Sequence, residues 1–349
     1  MTASRVPGTD NDALMDNVCH TLVGAALGEA GLKPRTRFAN ATLMIAANLP
    51  DIDVLVFATD TPSVAFRRGW THGIAAQALL PIALTGLIWL AARRRPALSE
   101  AEGPALSEAE GPAPSGVQGP GRSGPPLRLG WVLALSYIGV YSHVLLDLLN
   151  NYGVRLLAPV NWRWFYGDAV FIIDPWLWLI LAGGIWLARR RSSAAPARRA
   201  VLMALLYIGT MVVTARLARD IVSDAWRAEH GRVVGRLMVG PLPITPLQRA
   251  VIIDAGDHYD SGTLTWWPLD FARGRPTRVT FDPAGVPKND DRPEVAIARE
   301  APNVRAFLVW SRFPFWTLEP APGGTRVTVA DMRFMAGGVR FSASTIVPN

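Results

Sequence analysis

The sequence predicts a mainly α protein. It reads as a polytopic transmembrane helical bundle of about five spans plus a short N-terminal re-entrant or interfacial helix, with a small β-rich C-terminal extramembrane domain. Three observations predict this. Apolar runs recur at 41–58, 74–92, 129–149, 170–188 and 201–218, each close to the roughly 20 residues that cross a bilayer as a helix. Of the 349 residues, 50% are hydrophobic and 18% charged. Beyond residue 225 the long runs stop, and period-2 alternation with Gly and Pro punctuation takes over, the pattern of half-buried strands.

Residues 1–14 are polar and patternless and read as a disordered extension. They lack the basic and apolar regions of a secretory signal, and Met15 competes with Met1 as the expected start. Segment 18–32 is short and Gly-rich, which suits an interfacial or re-entrant helix. Residues 15–220 form the predicted transmembrane metal-site domain, interrupted by a linker at 93–128. The linker holds a tandem duplicate, Pro-Ala-Leu-Ser-Glu-Ala-Glu-Gly at 96–103 and 104–111, and then a Pro/Gly/Ser-rich stretch. Two short copies make no solenoid. The composition reads as disordered, and deleting the linker is expected to leave activity intact. In the soluble part, 225–349, strands are expected at 304–310, 325–334 and 339–346 and a short helix at 293–300. Asp254, Asp257, His258 and Asp260 surround a Gly-containing turn and read as a solvated acidic loop; Asp331 and Arg333 read as a cross-strand pair.

Basic residues set the expected topology. Lys33, Arg35 and Arg37 precede the first run, Arg93, Arg94 and Arg95 follow the second, and Arg189, Arg190, Arg191, Arg198 and Arg199 fill the fourth link. Placing all three links in the cytoplasm gives one alternating topology with the C-terminal domain outside, periplasmic in a Gram-negative host. The net charge of +7 is accounted for by these flanks, and no nucleic-acid-binding pattern accompanies it. Cys19 stands alone in the chain, so no intramolecular disulfide forms; it reads as a small apolar filler.

Polar clusters interrupt the apolar runs. His143 and Asp147 stand at i and i+4 and share a helix face; Asp16 and His20 repeat the spacing. Asp51 and Asp53 lie inside the first run, His72 opens the second, and Asp174 opens the fourth. In the expected topology all of them fall at the outer membrane end. Ionisable side chains at membrane depth are costly and usually functional. Neutral imidazole and carboxylate are ligands of catalytic zinc and of two-metal hydrolases. The candidate ligands are His20, Asp51, His72, His143 and Asp147 for one or two divalent ions, zinc by preference and manganese as the second choice. Asp16 and Asp174 are candidates to orient ligands by accepting imidazole N–H groups, and Asp53 is the candidate general base. Such a centre activates water against an ester or phosphoester. After the third run come Asn150, Asn151, Arg155, Trp162, Arg163 and Trp164. The tryptophans read as interfacial anchors, whereas the arginines could hold a phosphate. Arg67 and Arg68 read as a flanking basic pair.

At this point the sequence resembles the YdjM-like family of bacterial inner-membrane proteins, described as metal-dependent hydrolases. The resemblance covers roughly 15–190 and rests on Met15-Asp16…His20-Thr21…Gly24, Asn48-Leu49-Pro50-Asp51-Ile52-Asp53, Arg68-Gly69-Trp70-Thr71-His72, and Ser142-His143…Asp147…Asn150-Asn151-Tyr152-Gly153. It implies hydrolysis without fixing the substrate. The order His20, Asp51, His72, then His143-x-x-x-Asp147 is also similar to the zinc-dependent phospholipase C and single-strand nuclease group. Those enzymes carry further histidines for a trinuclear site, and here His230 and His258 lack the matching spacing. A site facing outward from the bilayer favours a lipid or lipid-linked substrate. Two other readings remain at this stage: a non-enzymatic membrane protein whose His–Asp pairs knit helices and whose outer domain binds a partner, and a metal-ion or proton transporter, which would place polar residues at several depths.

Overall fold

The computed structural model describes residues 9–59, 63–94, 125–266, 278–335 and 341–349, without the side chains of 9–16, 57, 58, 63 and 94. The greater part of the expected linker and residues 1–8 lie outside that description. Helix α1 (Thr9–Leu27) is longer than the expected short segment and begins within the extension expected to be disordered; it runs through a π turn (Gly28–Leu32) into a 3-10 turn (Lys33–Arg35). Next come α2 (Ala39–Ala46), a 3-10 stretch (Leu49–Ala58), and the one-turn α3 (Ser63–Phe66). Three longer helices follow: α4 (Ile74–Arg94), α5 (Leu129–Leu149) and α6 (Pro175–Arg190). The 36-residue α7 (Ala195–His230) ends the helical half.

Among the described residues, three helices are long and apolar enough to cross a membrane, starting at Ile74, Leu129 and Ala195. The expected first span is bent by 45° between α2 and the 3-10 stretch, and makes a fourth only if both halves count as one. The expected fourth span shortens because Asp174 caps α6 and Pro175 starts it. Its 16 residues reach about 24 Å at about 1.5 Å per residue, short of a hydrocarbon core of about 30 Å. The count of five spans is therefore not confirmed.

The bend has a local cause. Pro50 has no N–H to give, and the ladder breaks before it. The amide of Asn48 covers the break by donating to the Met44 carbonyl (2.8 Å) and to Thr21 Oγ1 of α1 (2.9 Å). Helix α5 shows why it sits at the centre: Val132, Leu135, Ser136, Gly139, Val140, His143, Val144 and Asp147 are buried, an i, i+3, i+4, i+7 stripe. Gly139 lets α5 press on α2, since a Cβ there would come within 2.5 Å of Ala46 Cβ and 3.0 Å of the Leu43 carbonyl oxygen.

The C-terminal domain has two antiparallel sheets. The first pairs β1 (Leu237–Pro241), β2 (Gln248–Asp254), β3 (His258–Thr265) and β4 (Arg278–Phe281) in order, with β5 (Val286–Pro287) also on β3. Helices α8 (Pro293–Ala298) and α9 (Pro302–Trp310) lead to the second sheet of β6 (Pro314–Ala321), β7 (Gly324–Asp331) and β8 (Ser342–Val347). The stretch 304–310, expected as a strand, is helical: Val304, Phe307 and Trp310 are its buried residues, a spacing of three that suits a helix face as well as an apolar run suits a strand. The acidic turn makes surface contacts, with His258 between Asp257 and Asp260, and Lys288 and Arg236 on Asp254.

The domain is fastened to the bundle. The end of α7 inserts Ala218, Val222 and Trp226 under Leu237, Val239, Val251 and Ile253 of the first sheet. Tyr152, just past α5, sits in the core of the second sheet with Trp310, Trp316 and Phe334. Arg249, fully buried, donates to the Asp168 and Met211 carbonyls.

Asp331 and Arg333 do not pair across a sheet. They follow one another into a 3-10 turn and form a bidentate buried ion pair at 2.9 and 3.0 Å. Burial pushes the Asp331 carboxyl pKa up, but the Arg333 guanidinium and hydrogen bonds from Arg333 and Ser311 outweigh it and hold the value at about 2. The unfolded value is about 3.9. The pair's contribution, on the order of 2 kcal/mol, is thus present above about pH 4 and lost as the pH falls through 2. The domain's thermal midpoint, followed by tryptophan fluorescence, should drop over that window in the wild type and less in Asp331→Asn, which should already be destabilised at pH 7.

Candidate metal centre

Four buried side chains from three segments meet where α4, α5 and the 3-10 stretch come together. Asp51, His72, His143 and Asp147 each offer a ligand atom, and these atoms all lie within 4.8 Å of one another. His72 Nε2 is 3.1 Å from His143 Nε2 and 3.0 Å from Asp147 Oδ2. Asp51 Oδ1 lies 3.7 Å from His72 Nε2 and 3.8 Å from His143 Nε2, and His143 Nε2 lies 3.4 Å from Asp147 Oδ2. Ligand bonds of about 2.0–2.1 Å put tetrahedral donor atoms about 3.3 Å apart. The observed spacings bracket that value.

The hydrogen bonds behind the two histidines fix where their lone pairs point. Because the ladder breaks at Pro50, the Asp51 amide bonds to the Asn48 carbonyl, and the Ala47 carbonyl faces His143 Nδ1 at 2.7 Å. A carbonyl only accepts, so Nδ1 carries the hydrogen, and in the neutral ring Nε2 then offers a lone pair. For His72, Thr71 Oγ1 lies 3.0 Å from Asp53 Oδ2 and 3.0 Å from His72 Nδ1. The carboxylate takes the hydroxyl hydrogen, which leaves the hydroxyl to accept from Nδ1–H. In their neutral forms both imidazoles therefore aim Nε2 lone pairs at one point, where Asp51 and Asp147 also aim carboxylates. Neither oxygen of Asp51, nor Asp147 Oδ2, has a hydrogen-bond partner among the described residues. Buried acceptors converging without a donor fit a cation.

The remaining expected residues divide. His20 lies beside the group: its ring stacks on His143 at 3.8 Å, and its Nε2 is 3.6 Å from Asp147 Oδ1. Asp53, expected as general base, stands behind His72, with Oδ2 accepting from the Arg68 amide (2.7 Å) and from Thr71. Asp174, expected to orient an imidazole, caps α6 through the Trp176 and Leu177 amides and accepts from Tyr207 Oη at 2.8 Å. The side chain of Asp16 lies outside the described residues.

Two arginines that the sequence offered only as flanks belong to the centre. Arg68, in a left-handed turn with φ 54, reaches Asp147 Oδ1 at 3.0 Å and Asn150 Oδ1 at 3.2 Å and lies over the Tyr152 ring. Arg67 lies 3.7 Å from Asp51 and 3.6 Å from Asp53. Three carboxylates (Asp51, Asp53, Asp147) face two guanidinium groups here, leaving a net of −1 with neutral histidines. A divalent ion reverses that sign.

The helices and this buried His/Asp group define a membrane protein with a group suited to holding a metal. The family model for YdjM inner membrane proteins matches residues 15–218, and the chain belongs to that family. It is also similar to the uncharacterized protein YfhP of Bacillus subtilis (strain 168), 20% identical over 356 residues covering 93% of this chain and 88% of the relative. No solved structure matches it.

Orienting partners of metal ligands typically contribute about 10–100-fold in affinity. Thr71→Val, which leaves His72 Nδ1 without that acceptor, should weaken divalent-metal affinity by that order in a competition titration, and Thr71→Ser should restore it. Equal affinity in all three proteins would remove Thr71 from the centre.

Proposed function

We propose that this protein is a membrane-bound, metal-dependent hydrolase of an ester or phosphoester carried on a lipid or lipid-linked group. The observation that supports it most is the convergence of two imidazole nitrogens and two carboxylates on one buried point. Asp51, His72, His143 and Asp147 would hold one divalent ion, zinc by preference, and His20 is close enough to join through Asp147. When bound, such an ion supplies polarisation of a substrate oxygen and activation of water. The chain's own residues do the rest. Asp53 and Thr71 hold His72 in its tautomer, and Ala47 holds His143. Arg67 and Arg68 place two guanidinium groups against the centre, which favours a phosphoester because guanidinium matches phosphate oxygens in a bidentate geometry.

The orientation belongs to the same proposal. The centre sits at the start of α4 and the end of α5, whereas Arg93, Arg128, Arg189 and Arg198 lie at the opposite helix ends. Basic ends face the cytoplasm, so the centre and the C-terminal domain face the periplasm or exterior.

The test is metal analysis of the full chain purified in detergent, beside His143→Ala and Asp51→Ala. The wild type should hold near-stoichiometric zinc or manganese and both variants should lose it. Chelation of the wild type should abolish hydrolysis of a phosphodiester or phospholipid. A wild type without metal, even after incubation with divalent ions, returns the histidines to a helix-knitting role.

A further inference from the structure

The first sheet of the C-terminal domain has one face on α7 and a second face that is only partly covered. On that second face Met238 pairs with Ile252, and Ile252 with Ser261; next to them Gly240 pairs with Ala250, and Ala250 with Thr263. Phe313, Phe315 and Met332 cover Met238 and Ile252. Alongside lies a cavity of about 600 Å³, within the range of about 300–1,000 Å³ typical of ligand sites. Its walls are apolar for the most part: Phe171 to Ile173 on one side, Pro241 to Ile244 on another, and Phe334 and Phe341 beyond.

Two features say what enters it. The segment Pro241 to Ile244 is attached to the start of α6, where Trp176 Nε1 donates to the Ile244 carbonyl at 2.8 Å. Ile244, at φ 71, is 69% exposed, and Trp176 is 44% exposed. Apolar and indole groups exposed beside a bundle of membrane-crossing helices belong at the lipid–water boundary. Furthermore, Phe171 and Ile172 line both this cavity and a small one, of about 10 Å³, that touches His20, Asn150 and Asp174. A single stretch of chain therefore separates the apolar cavity from the histidine stacked on His143.

We infer that the cavity binds one hydrocarbon chain of a bilayer lipid. The chain enters past Ile244 and Trp176, lies against Ala250 and Ile252, and leaves its head group at the Phe171–Asp174 segment beside the metal centre. The binding of the chain stands on the cavity alone; its role in presenting a substrate rests on the hydrolase reading.

The test uses the full chain in nanodiscs of phosphatidylethanolamine and phosphatidylglycerol with a trace of phospholipid bearing a diazirine at the end of one acyl chain. After irradiation, adducts are located by peptide mass spectrometry. Adducts are expected on β1, β2 or the Phe334 region, and Ala250→Trp or Thr263→Trp, which fill the cavity, should cut them by roughly tenfold, corresponding to about 1.4 kcal/mol. His72→Ala should lose metal and keep the adducts. Adducts confined to exposed leucines of the long helices such as Leu79, Leu145 and Leu205, in a wild type that holds its metal, would overturn the inference while sparing the hydrolase reading. Cavity adducts on a protein that never binds metal would do the reverse.

Discussion

Lone pairs pressed together away from water repel, and the helical half of this protein is arranged around that repulsion. Asp51 and Asp147, with oxygens within 4.8 Å of each other, repel by about 3–4 kcal/mol at an effective dielectric of about 20. Two bare imidazole nitrogens add to the crowding. Only groups committed elsewhere could hold such an arrangement: the Ala47 carbonyl, freed by the break before Pro50, and the Thr71 hydroxyl, occupied by Asp53. Arg67 and Arg68 offset part of the negative charge from the rim, and a divalent cation held there would outweigh what is left. The bend in the first apolar segment is thus a condition for the site, because an unbroken helix there would consume the carbonyl that orients His143.

What the sequence displayed follows from which signals are local. The i, i+4 spacing of His143 and Asp147 puts both on one helix face whatever packs against it, and Asp51 and His72 were visible as ionisable groups in apolar surroundings. The contact of Asp53 with Thr71 was not, because nothing along the chain says that a hydroxyl stands between that carboxylate and His72. Asp174 shows the same ambiguity: an acid before a proline and an apolar run is also a helix cap, and the cap is what forms. Arg67 and Arg68 looked like flanking charges since nothing local says that a turn folds them inward. The bundle was legible from its apolar runs; the number of spans was not, since Pro50 and Pro175 break or shorten segments whose composition is uniform. In the C-terminal domain, alternation identified β7 and the apolar run of α9 was ambiguous between periods.

The C-terminal domain grips the same loop that completes the centre. Its Arg333 donates to the Asn151 carbonyl and its Trp310 to the Tyr152 carbonyl, while Arg312 pairs with Asp168 near the end of that loop. Tyr152 then carries the Arg68 guanidinium on its ring, and Arg68 holds Asp147. The family match ends at 218, where α7 passes under the first sheet, so the residues of the centre fall inside the family segment and the sheets outside it. Because Tyr152 is packed in the sheet core on one side and under Arg68 on the other, a displacement of the second sheet must move Arg68 or break the cation–π contact. The appended domain is therefore a structural part of the rim of the centre, and any account of what reaches Asp147 has to include it.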